Sequence, residues 1–160
     1  MPLSGEQLNL FQKRWREGFV LHVDGIAFPD GRIVLLDSKT MISGSIVQSV
    51  AAPLAETTLS SVLSYDPDAW VQVTQLQRLV WSSGIHVECG EGAMGNEGYV
   101  AVVGGADGAL LWVLFCSRSN PFVELRRDGD VIVAVTTYDQ VWRIPYLAPG
   151  KFTLESSSGP

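Results

Sequence analysis

A chain of 160 residues has room for one sizeable core and little space for a second. Apolar residues make up 46% of it and charged residues 18%, with five Trp, six Phe and four Tyr; this composition excludes disorder as the ground state. The formal charge of −6 disfavours nucleic acid and anionic membranes as partners, and no apolar run approaches the roughly 20 residues of a bilayer-spanning helix.

One globular domain is expected over 1–155, followed by a polar, disordered tail, 156–160. The N-terminal stretch lacks the continuous apolar segment of a signal peptide, so a cytoplasmic location is expected. Cys89 and Cys116 each lie in an apolar, strand-like run and imply no disulfide framework.

Ser4 and Gln7 form a capping-box pattern, and Leu8, Phe11 and Trp15 repeat at helical spacing, so a helix is predicted over about 5–16, stopped by Gly18. "FVLHV" and "RIVLLD" follow as strands, bracketed by the turn dipeptides Asp24-Gly25 and Asp30-Gly31. A further strand is expected near 45–51. Pro53 is read as opening a helix over 54–64, with Ala55, Leu59, Val62 and Leu63 on one face. Asp66-Pro67 is read as opening another over 67–82, with Ala69, Val73, Leu76 and Val80 as its apolar stripe.

From Ile85 onward the pattern changes to short apolar runs separated by turns, including Asp107-Gly108 and Asp128-Gly129, which force antiparallel neighbours. The run Leu110 to Cys116 belongs in the middle of a sheet covered on both faces, and "FVELRR" near an edge. The expected class is therefore α+β: a mostly antiparallel meander of about six to eight strands with two or three helices packed on one face.

Residues 85–100, "IHVECGEGAMGNEGYV", carry two catalytic signatures that their context removes. Gly90, Gly92 and Gly95 match G-x-G-x-x-G, but a strand rather than an anion-binding helix follows them. They are read instead as turn glycines, tolerant of positive φ. His86-Val87-Glu88 has the spacing of the zinc deaminases, yet no P-C-x-x-C supplies the remaining ligands. Strand alternation places His86 and Glu88 together on a polar face. His22, inside "FVLHV", reads as a core or sheet-face histidine. Asp66 and Asp68 read first as capping carboxylates at a helix N-terminus. No nucleophile elbow, phosphate loop, metal motif or cofactor motif occurs in the sequence.

The charge is unevenly placed. Residues 1–39 carry five bases and five acids, and 118–160 the same, whereas 40–117 holds seven acids (Glu56, Asp66, Asp68, Glu88, Glu91, Glu97, Asp107) and one base, Arg78. Gathered on one face, these carboxylates would speed encounter with a basic partner. The glycine-rich loop 90–98 would let that partner approach closely.

The small acidic domain, its several tryptophans and the strand-turn "LLWVLFCSRSNPF" resemble, over about 80–150, the small bacterial immunity proteins that neutralise toxins. The resemblance implies a stoichiometric, non-enzymatic inhibitor blocking a basic partner protein through an acidic surface; no cofactor or metal and a monomer or weak dimer are expected. Glu88, Glu91, Asn96, Glu97, Asp107, Asp66 and Asp68 are the candidate contact residues. Two alternatives stand beside it. One is a small-molecule site or modest enzyme in a cleft formed by His86, Glu88 and aromatics such as Trp81 or Trp112. The other is a secretion-chaperone-like or assembly subunit that dimerises through an apolar face.

Overall fold

A computed structural model describes residues 5–105 and 107–156; Ser4 of the predicted capping box and residues 157–160 of the predicted tail lie outside it. The chain runs through α1 (Gly5–Arg16), β1 (Phe19–Leu21), β2 (Gly25–Ala27), β3 (Arg32–Ser43), β4 (Ile46–Thr58) and α2 (Leu59–Tyr65). It continues with β5 (Trp70–Gln72), β6 (Thr74–Ser82), β7 (Ile85–Glu91), β8 (Gly98–Gly104) and β9 (Ala109–Cys116). Last come β10 (Phe122–Asp128), β11 (Val131–Thr136), β12 (Gln140–Pro145) and β13 (Thr153–Ser156).

These strands form a seven-stranded sheet in the order β4-β3-β2-β9-β8-β7-β6, a four-stranded sheet β10-β11-β12-β13 and a two-stranded ribbon β1-β5, with every pair antiparallel. The fold is therefore mostly β, and the α+β expectation is corrected. Among the described residues there are two α-helices, and neither is long and apolar enough to cross a membrane.

The predicted helix 67–82 is β5 and β6. Its apolar residues fit a helical stripe by spacing, but the segment is rich in Trp, Val and Thr, which suit a pleated surface. Along β6, Gln77, Leu79 and Trp81 are the more buried positions and Arg78 and Val80 the exposed ones, the period-2 signature of a strand. The predicted helix 54–64 survives only from Leu59. Residues Ala55 to Thr58 pair instead with Leu35 to Arg32, and the Thr58 hydroxyl caps α2 by accepting from Ser61 N at 3.1 Å. Asp66 is consequently the C-cap of α2. Its carboxylate accepts from Asp68 N at 3.0 Å, an Asx turn rather than the predicted helix start.

Alternation on the central strands separates two cores. Val100, Val102, Trp112, Leu114, Val87 and Cys89 point toward the four-stranded sheet, where Trp142 is fully buried among them. Its ring meets Phe122 edge-on at 5.4 Å and stacks on Phe152 at 5.2 Å. Tyr99, Ala101, Val103, Val113 and Phe115 point the other way, against Phe11 of α1, Leu59 of α2 and the β1-β5 ribbon. β9, read as the run buried on both faces, is the central strand of seven. β10, read as lying near an edge, ends the four-stranded sheet.

Candidate functional site

The seven candidate contact residues fall in three places. The first is the end of the large sheet where β7 stops and β8 starts. Glu91 stands opposite Gly98, and Gly92 N donates to Glu97 O at 3.3 Å across the loop. Glu97 is buried (3% exposed), accepts from Met94 N at 3.0 Å through Oε1 and lies 3.1 Å from His22 Nε2 through Oε2. The His22 ring packs edge-on against Phe115, and His22 N donates to Ala69 O at 2.9 Å. That bond brings the exposed Asp66 and Asp68 of the α2–β5 turn to the same end. Asn96 is exposed, and its carbonyl accepts from Asn120 N at 2.9 Å. His22 is thus a side chain that ties two loops together, a role that the sequence reading missed.

Asp107 forms the second place, at the far end of β8, where it is exposed and 3.7 Å from Arg16. Glu88 forms the third, in the middle of β7. It faces the helix side of the sheet, nine-tenths buried, with Ala101 opposite it on β8 and Arg78 opposite it on β6. His86 Nε2 is 3.8 Å from Glu88 Oε2, and among the described residues no hydrogen-bond donor reaches that carboxylate. Burial pushes the Glu88 carboxyl up to about 7, an effect only partly offset by the Arg78 charge. Burial, and then the same guanidinium, lower His86 below its ordinary value.

A cavity of about 420 Å³ opens beside this group, bordered by Arg78, Val80, Ser82, Ile85, His86 and Val103. The expectation that Trp81 or Trp112 would line such a cleft is corrected. Both rings point through the sheet into the opposite core, where Trp81 stacks on Tyr146 at 5.1 Å and Trp112 Nε1 donates to Tyr146 O at 3.1 Å. Arg78, inside the predicted helix 67–82, is instead a strand residue and the cation that borders the cavity. Period-2 alternation through 76–82 was the signal that could have found it.

The glycines of the loop are also explained differently. Gly90, Gly92 and Gly95 do not adopt positive φ. A Cβ on Gly90 would lie 1.9 Å from Thr74 O, and one on Gly92 would lie 2.5 Å from Glu97 Oε1, while Gly95 has open space around it. Gly90 is a close backbone crossing and Gly92 makes room for the Glu97 side chain; neither is a turn pivot. Cys89 and Cys116 are free and buried, with burial pushing their thiols up to about 12 and about 11, as suits small apolar fillers. Among the described residues no three His, Cys, Asp or Glu side chains converge as a metal site requires.

Comparison of the chain with protein-family models, with curated proteins and with solved structures found no match in any of the three.

Proposed function

We propose that this chain is a non-enzymatic binding protein that captures a basic protein partner in a stoichiometric complex, as the likeness to immunity proteins implies. The contact surface is the end of the large sheet that carries Asp66, Asp68, Glu91 and Asn96. One observation carries this reading. Of the seven central carboxylates, four have a basic or histidine neighbour: Glu56 with Arg32 at 3.8 Å, Glu88 with His86 at 3.8 Å, Glu97 with His22 at 3.1 Å and Asp107 with Arg16 at 3.7 Å. Asp66, Asp68 and Glu91 have no ion-pair partner among the described residues, and all three lie at the His22 end of the sheet.

Uncompensated carboxylates on one rim steer a cationic partner and set its orientation. Glu88 and Glu97 do not belong to that rim. Both are buried, and reversing either would disturb the fold before it tested an interface. The deciding experiment is affinity capture with the wild-type chain, followed by kinetics on the recovered partner. A basic partner bound one to one is expected, with an association rate that falls as salt rises. The triple reversal D66K/D68K/E91K, which touches exposed or half-buried side chains only, should weaken binding about tenfold or more, mostly through association. An unchanged affinity in that variant would remove this surface from the reading, and failure to recover any partner would remove the reading itself.

A further inference from the structure

The cavity beside β6 and β7 is separate from the acidic rim and carries a chemistry of its own. It lies on the helix side of the large sheet, toward the β6–β7 turn, over a patch that neither helix covers: Val80, on its floor, is 73% exposed. Among the described residues, one ionisable group there lacks an ion-pair partner and another lacks a hydrogen-bond donor. Arg78 has no carboxylate within 4 Å among the described residues, although Glu88 is its direct cross-strand neighbour. Glu88, nine-tenths buried, has His86 at 3.8 Å and, among the described residues, no donor at hydrogen-bond distance. A buried carboxylate without donors is costly, and an unpaired guanidinium at the edge of a cavity is a ready anion receptor.

We propose that this cavity binds a small organic carboxylate, held by the Arg78 guanidinium with its apolar body against Val80 and Val103, and that the His86–Glu88 pair takes up a proton as the ligand enters. The planar fork of arginine matches a carboxylate. An ammonium ligand would meet the Arg78 charge, and the two valine side chains offer a hydrated inorganic anion nothing. The other titratable groups close enough to feel the Glu88 charge are Tyr99 on β8 and Cys89 on β7, both buried; the Arg16–Asp107 pair lies past the end of β8. An arriving anion disfavours the ionised form of Glu88, which is held up to about 7, so binding near neutrality brings a proton with it.

The test uses the whole protein and needs no protein partner. It titrates n-butyrate, n-butylammonium and inorganic phosphate at pH 6, 7 and 8, following the Arg78 and His86 resonances by NMR and heat in buffers of different ionisation enthalpy. Butyrate is expected to shift both residues and to take up a proton. Its affinity should fall about fivefold between pH 7 and 8, as one linked group with a midpoint near 7 requires. Arg78→Gln should lower the affinity about tenfold or more, and Glu88→Gln should keep binding but lose the pH dependence. The proposal is overturned if butyrate leaves these resonances unmoved, if butylammonium or phosphate binds as tightly, or if Glu88→Gln keeps the full pH dependence. The three wild-type titrations decide the ligand class even if a variant fails to fold.

Discussion

The side-chain amide of Gln140, on β12, closes on the main chain of Ser49, on β4: Oε1 accepts from Ser49 N at 3.0 Å and Nε2 donates to Ser49 O. β4 is an edge of the seven-stranded sheet, and an open edge is a template for pairing with another chain. The amide presents the same donor and acceptor that a neighbouring strand would. The device recurs where Gln12 of α1 bonds both main-chain groups of Leu110, at 3.0 and 2.9 Å, and where Gln77 Oε1 accepts from Leu125 N on the edge strand β10. Gln140→Ala should therefore cost about 1 to 3 kcal/mol, because it strands buried backbone groups. Denaturant unfolding measures that loss. Light scattering over a concentration series should show stronger association than in the wild type.

The loop glycines divide by what surrounds them. Gly90→Ala forces a methyl into the Thr74 carbonyl, 1.9 Å away, in a strand pair that cannot part without breaking the β6–β7 ladder. It should destabilise by about 3 kcal/mol or more, at or beyond the upper end of overpacking costs. Gly95→Ala meets open space and should change stability by less than about 0.5 kcal/mol. Equal thermal shifts for the two variants would refute this assignment.

Glu88 makes stability depend on pH with a definite sign. Its folded-state carboxyl is held up to about 7 against an ordinary value of 4.5, so the folded chain binds the proton more tightly than the unfolded one. The contribution of this group is full below about 4.5, falls as pH rises between 4.5 and 7, and is flat above. Glu88→Gln removes the ionisable group without changing its shape. The difference between variant and wild-type stability should grow across that window and reach on the order of 3 kcal/mol in favour of the variant at pH 8. A difference that does not vary with pH would show that Glu88 is not held protonated by the fold.

Asp24 joins three segments at once. Its carboxylate accepts from Ser38 Oγ at 2.7 Å on β3, and from Ser117 N at 2.7 Å and Ser117 Oγ at 3.0 Å just past β9. Removing a charged acceptor with three donors should cost about 2 to 4 kcal/mol in Asp24→Ala, and Ser38→Ala alone about 1 kcal/mol. Chemical denaturation of the two variants and their double mutant gives the coupling directly.

Much of the sheet was legible because the cues are local. From Ile85 on, short apolar runs and Asp-Gly turns mark nearly every strand, and the uninterrupted run from Leu110 marks β9 as buried on both faces. The misreading of 67–82 has an equally local cause. Ala69, Val73, Leu76 and Val80 satisfy a helical spacing by coincidence, and only the offer of a partner, Glu91 to Ile85 of β7 in register with Thr74 to Ser82, makes the strand the lower state. Propensity is a weak prior when a long ladder is at hand.

Residue order along the chain determined the composition of this protein's core, the positions of its turns and the excess of carboxylates in its middle half. It could not determine which of those carboxylates meet water, because burial and ion pairing are set by groups distant in sequence. His22 reaches Glu97 across 75 positions, and the cross-strand register places Arg78 opposite Glu88. Tertiary structure alone left Asp66, Asp68 and Glu91 on one rim without an ion-pair partner among the described residues and opened the Arg78 cavity, since each depends on where strands stop and helices fail to cover, not on the residues themselves.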